Sequence, residues 1–258
     1  MRKVYHFVLT AMVGVMSTMA TAFAQGPGAL IPVPAEYQLT QGVYCFEGEP
    51  AVKIKRVSEN KIPAEGYRLE VTKKGVIITA STAAGEFYAR QTLAQMVAMN
   101  SPLTCCVIND YPRFPYRGLH VDVSRHFRSV EFLKKQMDAM AMFKMNRMHI
   151  HLTDAAGWRI EIKKYPRLTE FAAWRKPAIW KDWWFGDRLY VNEGTEDAYG
   201  GYYTQDDIRE IVKYAQERYI TITPEIEMPA HSEEVLTAYP ELSCTHEPYK
   251  QADFCIGN

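Results

Sequence analysis

The feature that most constrains the fold is an alternation of strand and helix patterns in the second half of the 258-residue chain. Three short apolar segments predict strands, and two segments that open with a Ser or Thr cap and early acids predict helices. The strands are predicted at 118–123, 147–152 and 220–226, and the helices at 129–144 and 206–218. Strand, helix, strand, helix, strand at this spacing predicts a parallel α/β sheet or barrel.

Residues 25–110 are predicted to form a separate small α+β domain. An alternating segment at 67–71 and a β-branched run at 76–80 predict two strands of a hairpin, with its turn at Lys73-Lys74-Gly75. A helix with apolar residues on one side is predicted at 82–99. The prolines of Asn109-Asp-Tyr-Pro-Arg-Phe-Pro115 indicate a boundary, so the α/β domain is assigned to 113–258.

The first 24 residues are predicted to be a cleaved export signal. Arg2 and Lys3 precede a mostly apolar stretch, and Ala22-Phe23-Ala24 offers small residues at both recognition positions of a signal peptidase. The alternative is a membrane anchor, but no charge cluster follows, and no other stretch has the ~18 apolar residues that a span needs. We therefore expect a periplasmic or extracellular protein, exported as in bacteria, with no membrane span after cleavage.

The five cysteines all follow this signal, and an odd number leaves at least one thiol without an intrachain disulfide. The adjacent Cys105 and Cys106 are predicted to be buried strand residues, whereas Cys244 and Cys255 are candidates for a small disulfide loop. Because no Cys-x-x-Cys is present, neither a zinc ribbon nor a thioredoxin-type site is supported.

The charge balance excludes some partners. The chain has 30 basic and 30 acidic residues, whereas nucleic acid or an acidic membrane surface would reward a basic excess. Its 47% hydrophobic and 23% charged residues are typical of a folded globular protein.

Acids and histidines gather where the three predicted α/β strands end. The segments are Asp122-Val-Ser-Arg-His126, His149-Ile-His-Leu-Thr-Asp154 and Glu225-Ile-Glu-Met-Pro-Ala-His231. In barrel enzymes the reactive groups lie at the carboxyl ends of the strands and in the loops that follow. A site is therefore expected at this edge.

Some of these groups have a structural interpretation as well. His149 and His151 face the same side of a strand, as in barrel metal sites, although no further set of residues with metal spacing is visible. Glu225 and Glu227 also lie on one side of the strand. For each of them, two interpretations are open: a catalytic group, or a member of a buried network.

Two further features also allow both a functional and a structural interpretation. Asp122 and Arg125 can belong to a site or form an ion pair that ties loops together. A long loop is predicted from Thr153 to about Tyr203. All five tryptophans lie in it, from Trp158 to Trp184, where each can stack on a sugar ring or pack the loop itself.

Several of these motifs resemble the glycoside hydrolases of family 20, the β-N-acetylhexosaminidases. Arg117-Gly-Leu-His-Val-Asp-Val-Ser-Arg-His-Phe127 resembles the first barrel strand of that family. Met145-Asn-Arg-Met-His-Ile-His-Leu-Thr-Asp154 with Gly157-Trp-Arg-Ile-Glu-Ile162 resembles the second, and Pro224-Glu-Ile-Glu-Met-Pro-Ala-His231 the third. Gly85-Glu-Phe-Tyr88 and Gln91-Thr-Leu-Ala-Gln95 resemble the helix of the small domain before the barrel.

The resemblance implies a role for each matching residue. Arg117 is expected to bind the outer hydroxyls of the terminal sugar, Asp154 to support the site, and His231 to act with Asp154 near the catalytic acid. The expected supporting residues are Asp122, His151, Trp158, Glu225 and Glu227. Two departures are Asp154-Ala155-Ala156, where the family has Asp-Asp-Gln, and Pro229-Ala230-His231, where it has Pro-Gly-His.

The mechanism implied is retaining hydrolysis, in which the 2-acetamido group of the substrate is the nucleophile and no cofactor or metal takes part. The expected substrates are glycans that end in N-acetylhexosamine. In the family, an Asp-Glu pair after the fourth strand orients the acetamide and protonates the leaving oxygen.

The 258 residues contain no Asp-Glu dipeptide, so this catalytic pair is expected beyond Asn258. The expectation is therefore a small α+β domain followed by the first three units of a truncated TIM (β/α)8 barrel, with no catalytic pair and no activity alone.

Two alternatives remain open at this point. One is a non-catalytic sugar-binding relative that keeps Arg117 and the tryptophan-rich loop. The other is a metal-dependent barrel hydrolase built on His149 and His151.

Overall fold

The computed structural model of the protein describes residues 29–99 and 102–247. It divides into two compact units, one comprising the chain to Pro115 with Met142–Lys144, the other Tyr116–Ala141 and the chain from Met145 onward. The predicted signal at 1–24, Cys255 and Asn258 lie outside the described residues. Among those described, no helix is long and apolar enough to cross a membrane.

The first unit is a five-stranded sheet with one long helix. Its elements are β1 (Glu36–Tyr44), β2 (Val52–Arg56), β3 (Tyr67–Thr72), β4 (Gly75–Ala80), α1 (Ala83–Met99) and β5 (Leu103–Asp110). The sheet order is β1-β5-β3-β4-β2, and every neighbouring pair is antiparallel except β2 and β4. The β3–β4 hairpin and the helix lie where they were predicted, whereas β1 and β2 were not predicted.

The core of this unit lies between the sheet and α1. Leu69, Ile78 and Ile108 come from alternate positions of three strands, and they pack in one cluster with Ala89 of α1. Cys105 and Cys106 are both buried in β5, which confirms their predicted place.

The second unit contains the predicted parallel strands. The connection after the second of them contains further short strands and helices. Its elements are β6 (Gly118–Asp122), α2 (Val130–Met142), β7 (Arg147–His151), β8 (Thr153–Asp154), β9 (Gly157–Trp158), α3 (Arg167–Glu170), β10 (Trp174–Lys176), α4 (Trp180–Phe185), β11 (Leu189–Tyr190), β12 (Tyr199–Gly200), α5 (Gln205–Gln216), β13 (Thr221–Glu225) and α6 (Glu233–Ala238). The strands β6, β7 and β13 form a parallel sheet in the order β13-β7-β6. Helix α2 ends before the predicted Lys144, because that residue has a φ of 59°, which a right-handed helix does not accommodate.

The parallel sheet has two faces of opposite character. Met148 and Ile150 of β7 lie on the face that packs against Leu133 and Met137 of α2 and Ile211 of α5. Since side chains alternate along a strand, the intervening positions face the other way. Register places His120 beside His149 in one row, and Asp122, His151 and Glu225 in the next.

The segment from 153 to 203 was predicted to be a long loop, and that prediction is wrong. It contains the β8–β9 hairpin, the helices α3 and α4, and a three-stranded sheet in the order β11-β10-β12. These strands are two or three residues long, too short for a periodic pattern in the sequence. Trp183 is fully buried and stacks on Trp180, so for these two rings the packing interpretation holds.

Helix α5 begins with a capping box. The hydroxyl of Thr204 accepts a hydrogen bond from the backbone N–H of Asp207 at 3.1 Å, and the Asp207 carboxylate accepts one from the N–H of Thr204 at 2.8 Å. This confirms the predicted cap.

Removing the cap tests its contribution to stability. We expect Thr204→Ala to lower the free energy of unfolding by about 1 kcal/mol, because the first-turn donor loses its acceptor. Urea unfolding followed by tryptophan fluorescence reports on the second unit, because all five tryptophans lie in it. Gln205→Ala leaves both bonds of the box in place and serves as control; an equal loss in the two variants would contradict the prediction.

Candidate active site

The three parallel strands each contribute a group to the buried carboxylate of Asp154. Its Oδ2 lies 2.6 Å from Arg125 Nη2, 3.1 Å from His151 Nε2 and 3.2 Å from His231 Nδ1. Its Oδ1 accepts a hydrogen bond from the backbone N–H of Ala155 at 2.8 Å. Arg125 follows β6, His151 ends β7 and His231 follows β13, so the side chain joins all three strand ends.

Three histidines contact a second carboxylate, that of Glu225. Glu225 Oε2, at the end of β13, lies 2.7 Å from His149 Nε2, 3.0 Å from His151 Nδ1 and 3.3 Å from His120 Nε2. His151 therefore contacts Glu225 through one ring nitrogen and Asp154 through the other. The imidazole of His151 links the two carboxylates into one network.

Charge complementarity shifts the pKa values of this network. The hydrogen bond to Asp154 raises the pKa of His151 despite the opposing effect of burial, and Glu225 adds to the rise. Burial alone would raise the pKa of Glu225, but the hydrogen bond and charge of His151, with the neighbouring histidines, lower it to about 2. Glu225 is therefore an anion at neutral pH, and the doubly donating, charged form of His151 is favoured.

The lowered pKa of Glu225 predicts a loss of stability in acid. A group whose pKa falls from an ordinary 4.5 to about 2 on folding stabilises the fold above pH 4.5, and this contribution disappears as the pH falls toward 2. Allowing for the partial exposure of the side chain, we expect a contribution on the order of 2 kcal/mol at neutral pH.

The measurement compares wild type with Glu225→Gln. Urea unfolding gives the free energy of unfolding of both proteins at pH 7 and at pH 3. The variant should be less stable than wild type at pH 7, and this difference should be smaller at pH 3. The exposed Glu196→Gln is the control and should follow wild type throughout. An equal difference in the free energy of unfolding at both pH values would rule out the lowered pKa of Glu225 as its cause.

The predicted Asp122–Arg125 ion pair is present and also orients the site. Asp122 Oδ2 lies 2.8 Å from Arg125 Nη1, and Asp122 Oδ1 accepts hydrogen bonds from the backbone N–H groups of Ser124 and Arg125 at 3.0 Å. The carboxylate thus closes the turn after β6. The same guanidinium is thereby aimed at Asp154, so the structural and site interpretations of this pair both hold.

Two of the other predicted residues lie close to this network in different ways. A carboxylate oxygen of Glu227 lies within 4.8 Å of ligand atoms of His151 and Glu225. Trp158 is buried in the β8–β9 hairpin, and its Nε1 donates to the carbonyl of Ile160 at 2.5 Å. Trp158 therefore packs the loop and does not present an open face to a sugar.

Arg117 lies apart from these groups along the sheet. It precedes β6 at the amino end of the strand, where its backbone N–H donates to Asn146 Oδ1 at 3.0 Å. Asp122 lies five positions further along the chain, about 16 Å at the rise of a strand. The structure therefore does not bring Arg117 together with the carboxyl-end network, whose arginine is Arg125.

A buried arginine that the sequence analysis did not single out holds the loops of the site. Arg159 is fully buried, and its guanidinium donates to five backbone carbonyls. The acceptors are Val123, Ser124, Ala156, Ala173 and Gly201. Burial, with the charge of Arg175, lowers the pKa of Arg159 to about 10, so it stays charged at neutral pH.

Gly157 is required beside this guanidinium. Its φ is 153°, which L-residues rarely adopt, and a Cβ at this position would lie 2.5 Å from Arg159 Nη2. The motif Gly157-Trp-Arg was recognised in the sequence, but backbone acceptors leave no sequence signal that would assign the role of the arginine.

A second unpredicted group is the buried carboxyl of Glu234 in α6. Neither of its oxygens has a hydrogen-bond partner on another residue that the structure describes. Burial, with the negative charges of Asp154 and Glu233, raises its pKa well above the ordinary value. Burial thus favours the protonated form of Glu234, whereas Glu233 beside it pairs with Arg188 at 3.2 Å.

Comparisons with known families match both units. Residues 114–257 match the model of "Glycosyl hydrolase family 20, catalytic domain" and residues 41–111 that of "Glycosyl hydrolase family 20, domain 2". A curated "Beta-hexosaminidase" of Porphyromonas gingivalis is 46% identical over 196 residues, which cover 72% of this chain and 23% of that protein. One of Akkermansia muciniphila is 34% identical over 250 residues, which cover 94% of this chain and 46% of that protein.

Solved structures give the same result. A crystal structure of a β-N-acetylhexosaminidase superposes with a TM-score of 0.73 at 33% identity, covering 86% of this chain and 45% of the other. The exo-β-N-acetylglucosaminidase of Vibrio harveyi with N-acetylglucosamine superposes with a TM-score of 0.71 at 31% identity, covering 85% and 39%.

The chain thus spans about a quarter to a half of the length of these relatives. Its parallel strands and helices are those of an α/β fold whose relatives carry a TIM-barrel catalytic domain. With both family models matched in order along the chain, the protein belongs to glycosyl hydrolase family 20.

Proposed function

We propose that the protein is an exo-glycosidase that removes terminal N-acetylhexosamine from glycans by retaining, substrate-assisted hydrolysis. The observation that carries the proposal is the convergence of Arg125, His151 and His231 on Asp154. The names of the relatives, β-hexosaminidases among them, support the same reaction.

In this proposal each residue positions another or binds sugar. Asp154 holds the His231 ring through Nδ1, which leaves Nε2 to act on a neighbouring carboxyl group. Arg125 and His151 hold the Asp154 carboxylate in place through contacts of 2.6 and 3.1 Å. Arg125, which reaches Asp154 with a side chain that is 33% exposed, binds outer hydroxyls of the terminal sugar, since a guanidinium offers several donors in a rigid plane.

The carboxyl groups that react directly are proposed to lie beyond Asn258, outside this chain. Family 20 chemistry needs an Asp-Glu pair, and the 258 residues contain none. The three β/α units are then the first three of eight, and the 258-residue chain alone does not turn over substrate.

The test is release of nitrophenol from nitrophenyl N-acetylglucosaminide, by the product of the whole reading frame and by the purified 258-residue chain. We expect turnover by the first only, reduced at least about 100-fold by Arg125→Ala, because the hydroxyl contacts and the contact with Asp154 are lost. The exposed Arg209→Ala is the control. A folded product of the whole frame that releases nothing would refute the assignment.

Two other outcomes bear on the second part of the proposal. Turnover by the 258-residue chain that disappears in Arg125→Ala would show that the reacting groups lie within it. Calorimetric binding of N-acetylglucosamine without turnover by either protein would identify a sugar-binding relative.

Export is proposed from residues 1–24. Expression in a bacterial host followed by amino-terminal sequencing of the protein in the periplasm or medium should give Gln25 as the first residue. Retention of the uncleaved chain in the membrane fraction would favour an anchor.

A further inference from the structure

One group of side chains beside the proposed site has the composition of a metal centre. One ring nitrogen of His120, one of His149 and a carboxylate oxygen of Glu225 all lie within 4.8 Å of one another. The three residues come from the three parallel strands β6, β7 and β13. His120 and His149 are register partners with ring centroids 4.6 Å apart, so the sheet itself sets their spacing.

The spacing fits metal coordination with little movement. At metal–ligand distances of about 2.0–2.2 Å, tetrahedral ligand atoms lie roughly 3.4 Å apart. Glu225 Oε2 lies 3.3 Å from His120 Nε2 and 2.7 Å from His149 Nε2. A metal ion requires the second contact to open by about 0.7 Å, while the ligand atoms of the two histidines already lie within 4.8 Å of each other.

In the 258-residue chain the site is accessible, and its carboxylate is held from behind. The side chains of His120, His149 and Glu225 are 52%, 34% and 29% exposed there, so an added metal ion can reach them. His151 Nδ1 lies 3.0 Å from the same Glu225 oxygen. Metal sites commonly have such an outer partner that orients a ligating group.

His151 itself is a poorer ligand, although the sequence paired it with His149. Its two ring nitrogens lie 3.0 Å from Glu225 and 3.1 Å from Asp154, and its side chain is only 5% exposed. Coordination by His151 would break one of these contacts, whereas coordination by His120 breaks no contact to Asp154.

We propose that His120, His149 and Glu225 form a binding site for one divalent transition-metal ion, with Zn²⁺ as the best-matched ion. Two imidazoles and one carboxylate suit Zn²⁺, Co²⁺ or Ni²⁺, whereas Mg²⁺ and Ca²⁺ prefer oxygen ligands throughout. The metal binds to the sheet and takes no part in the proposed hydrolysis, so this inference does not depend on that function.

The experiment is calorimetric titration of metal-free, tag-free 258-residue chain with ZnCl₂ after the cysteine thiols have been alkylated. We expect one equivalent to bind. His120→Leu should weaken binding at least about 100-fold, since loss of an outer-shell partner alone costs 10–100-fold. His246→Leu removes an exposed histidine elsewhere and should bind as wild type does.

A replacement variant and a second metal ion complete the experiment. Should His120→Leu fail to give the native circular dichroism spectrum, His120→Gln replaces it. Titration with MgCl₂ should show no binding at the same concentrations. Equal Zn²⁺ affinity of wild type and the folded His120 variant, or a loss of binding in Glu227→Gln but not in that variant, would overturn the proposal.

Discussion

Replacing Arg159 by methionine is expected to destabilise the second unit by about 3–5 kcal/mol, the largest stability effect among the substitutions considered. The guanidinium is fully buried and donates to five backbone carbonyls. Methionine keeps the aliphatic volume but removes every donor. Each buried carbonyl left without a partner then costs about 1–3 kcal/mol, reduced where water enters.

The carbonyls belong to segments far apart in the chain, so the loss of this one side chain should loosen all of these segments together. Val123 and Ser124 follow β6, Ala173 precedes β10 and Gly201 follows β12. One planar group satisfies all of them, and lysine has neither the number nor the arrangement of donors to replace it. Arg159→Lys should therefore recover only a small part of the loss.

Urea unfolding followed by tryptophan fluorescence measures the effect, since every tryptophan lies in the second unit. The exposed Arg209→Met, which removes a surface pair with Asp206, should change stability by less than about 0.5 kcal/mol. An Arg159→Met protein as stable as the Arg209→Met control would show that the buried guanidinium is dispensable.

The parallel strands are predictable because each is a short apolar run next to a capped helix. The alternation of faces follows from the same runs, so the positions of Asp122, His151 and Glu225 on one face follow from the sequence. His120 occupies that face too, two residues before Asp122, but it becomes meaningful only once register places it beside His149.

The loop between 153 and 203 was the least predictable region because its order comes from tertiary contacts. Arg159 bonds to carbonyls, and a carbonyl acceptor exists at every residue, so no pattern marks the ones it will meet. Glu234 is similar: a glutamate in the first turn of a helix ordinarily indicates an exposed group that complements the helix dipole. Only packing reveals that this side chain is buried.

Replacing Asp154 by asparagine is expected to lower kcat of the product of the whole reading frame by about 100-fold or more, with a smaller change in KM. The asparagine side chain would still accept from the N–H of Ala155, so the turn keeps its local bond. The neutral amide, however, lacks the charge that faces Arg125, His151 and His231 at 2.6–3.2 Å. A positioning residue that acts through His231 affects the chemical step more than substrate binding.

A second readout of Asp154→Asn does not depend on activity. The hydrogen bond to Asp154 is the main cause of the raised pKa of His151, so the pKa of this imidazole should fall in the variant. Nuclear magnetic resonance titration of the histidine side chains in the 258-residue chain measures the change, with the exposed Asp197→Asn as control. A His151 that titrates as in wild type, together with an unchanged kcat, would remove Asp154 from the centre of the network. A lowered pKa of His151 with an unchanged kcat would instead confine Asp154 to a structural role.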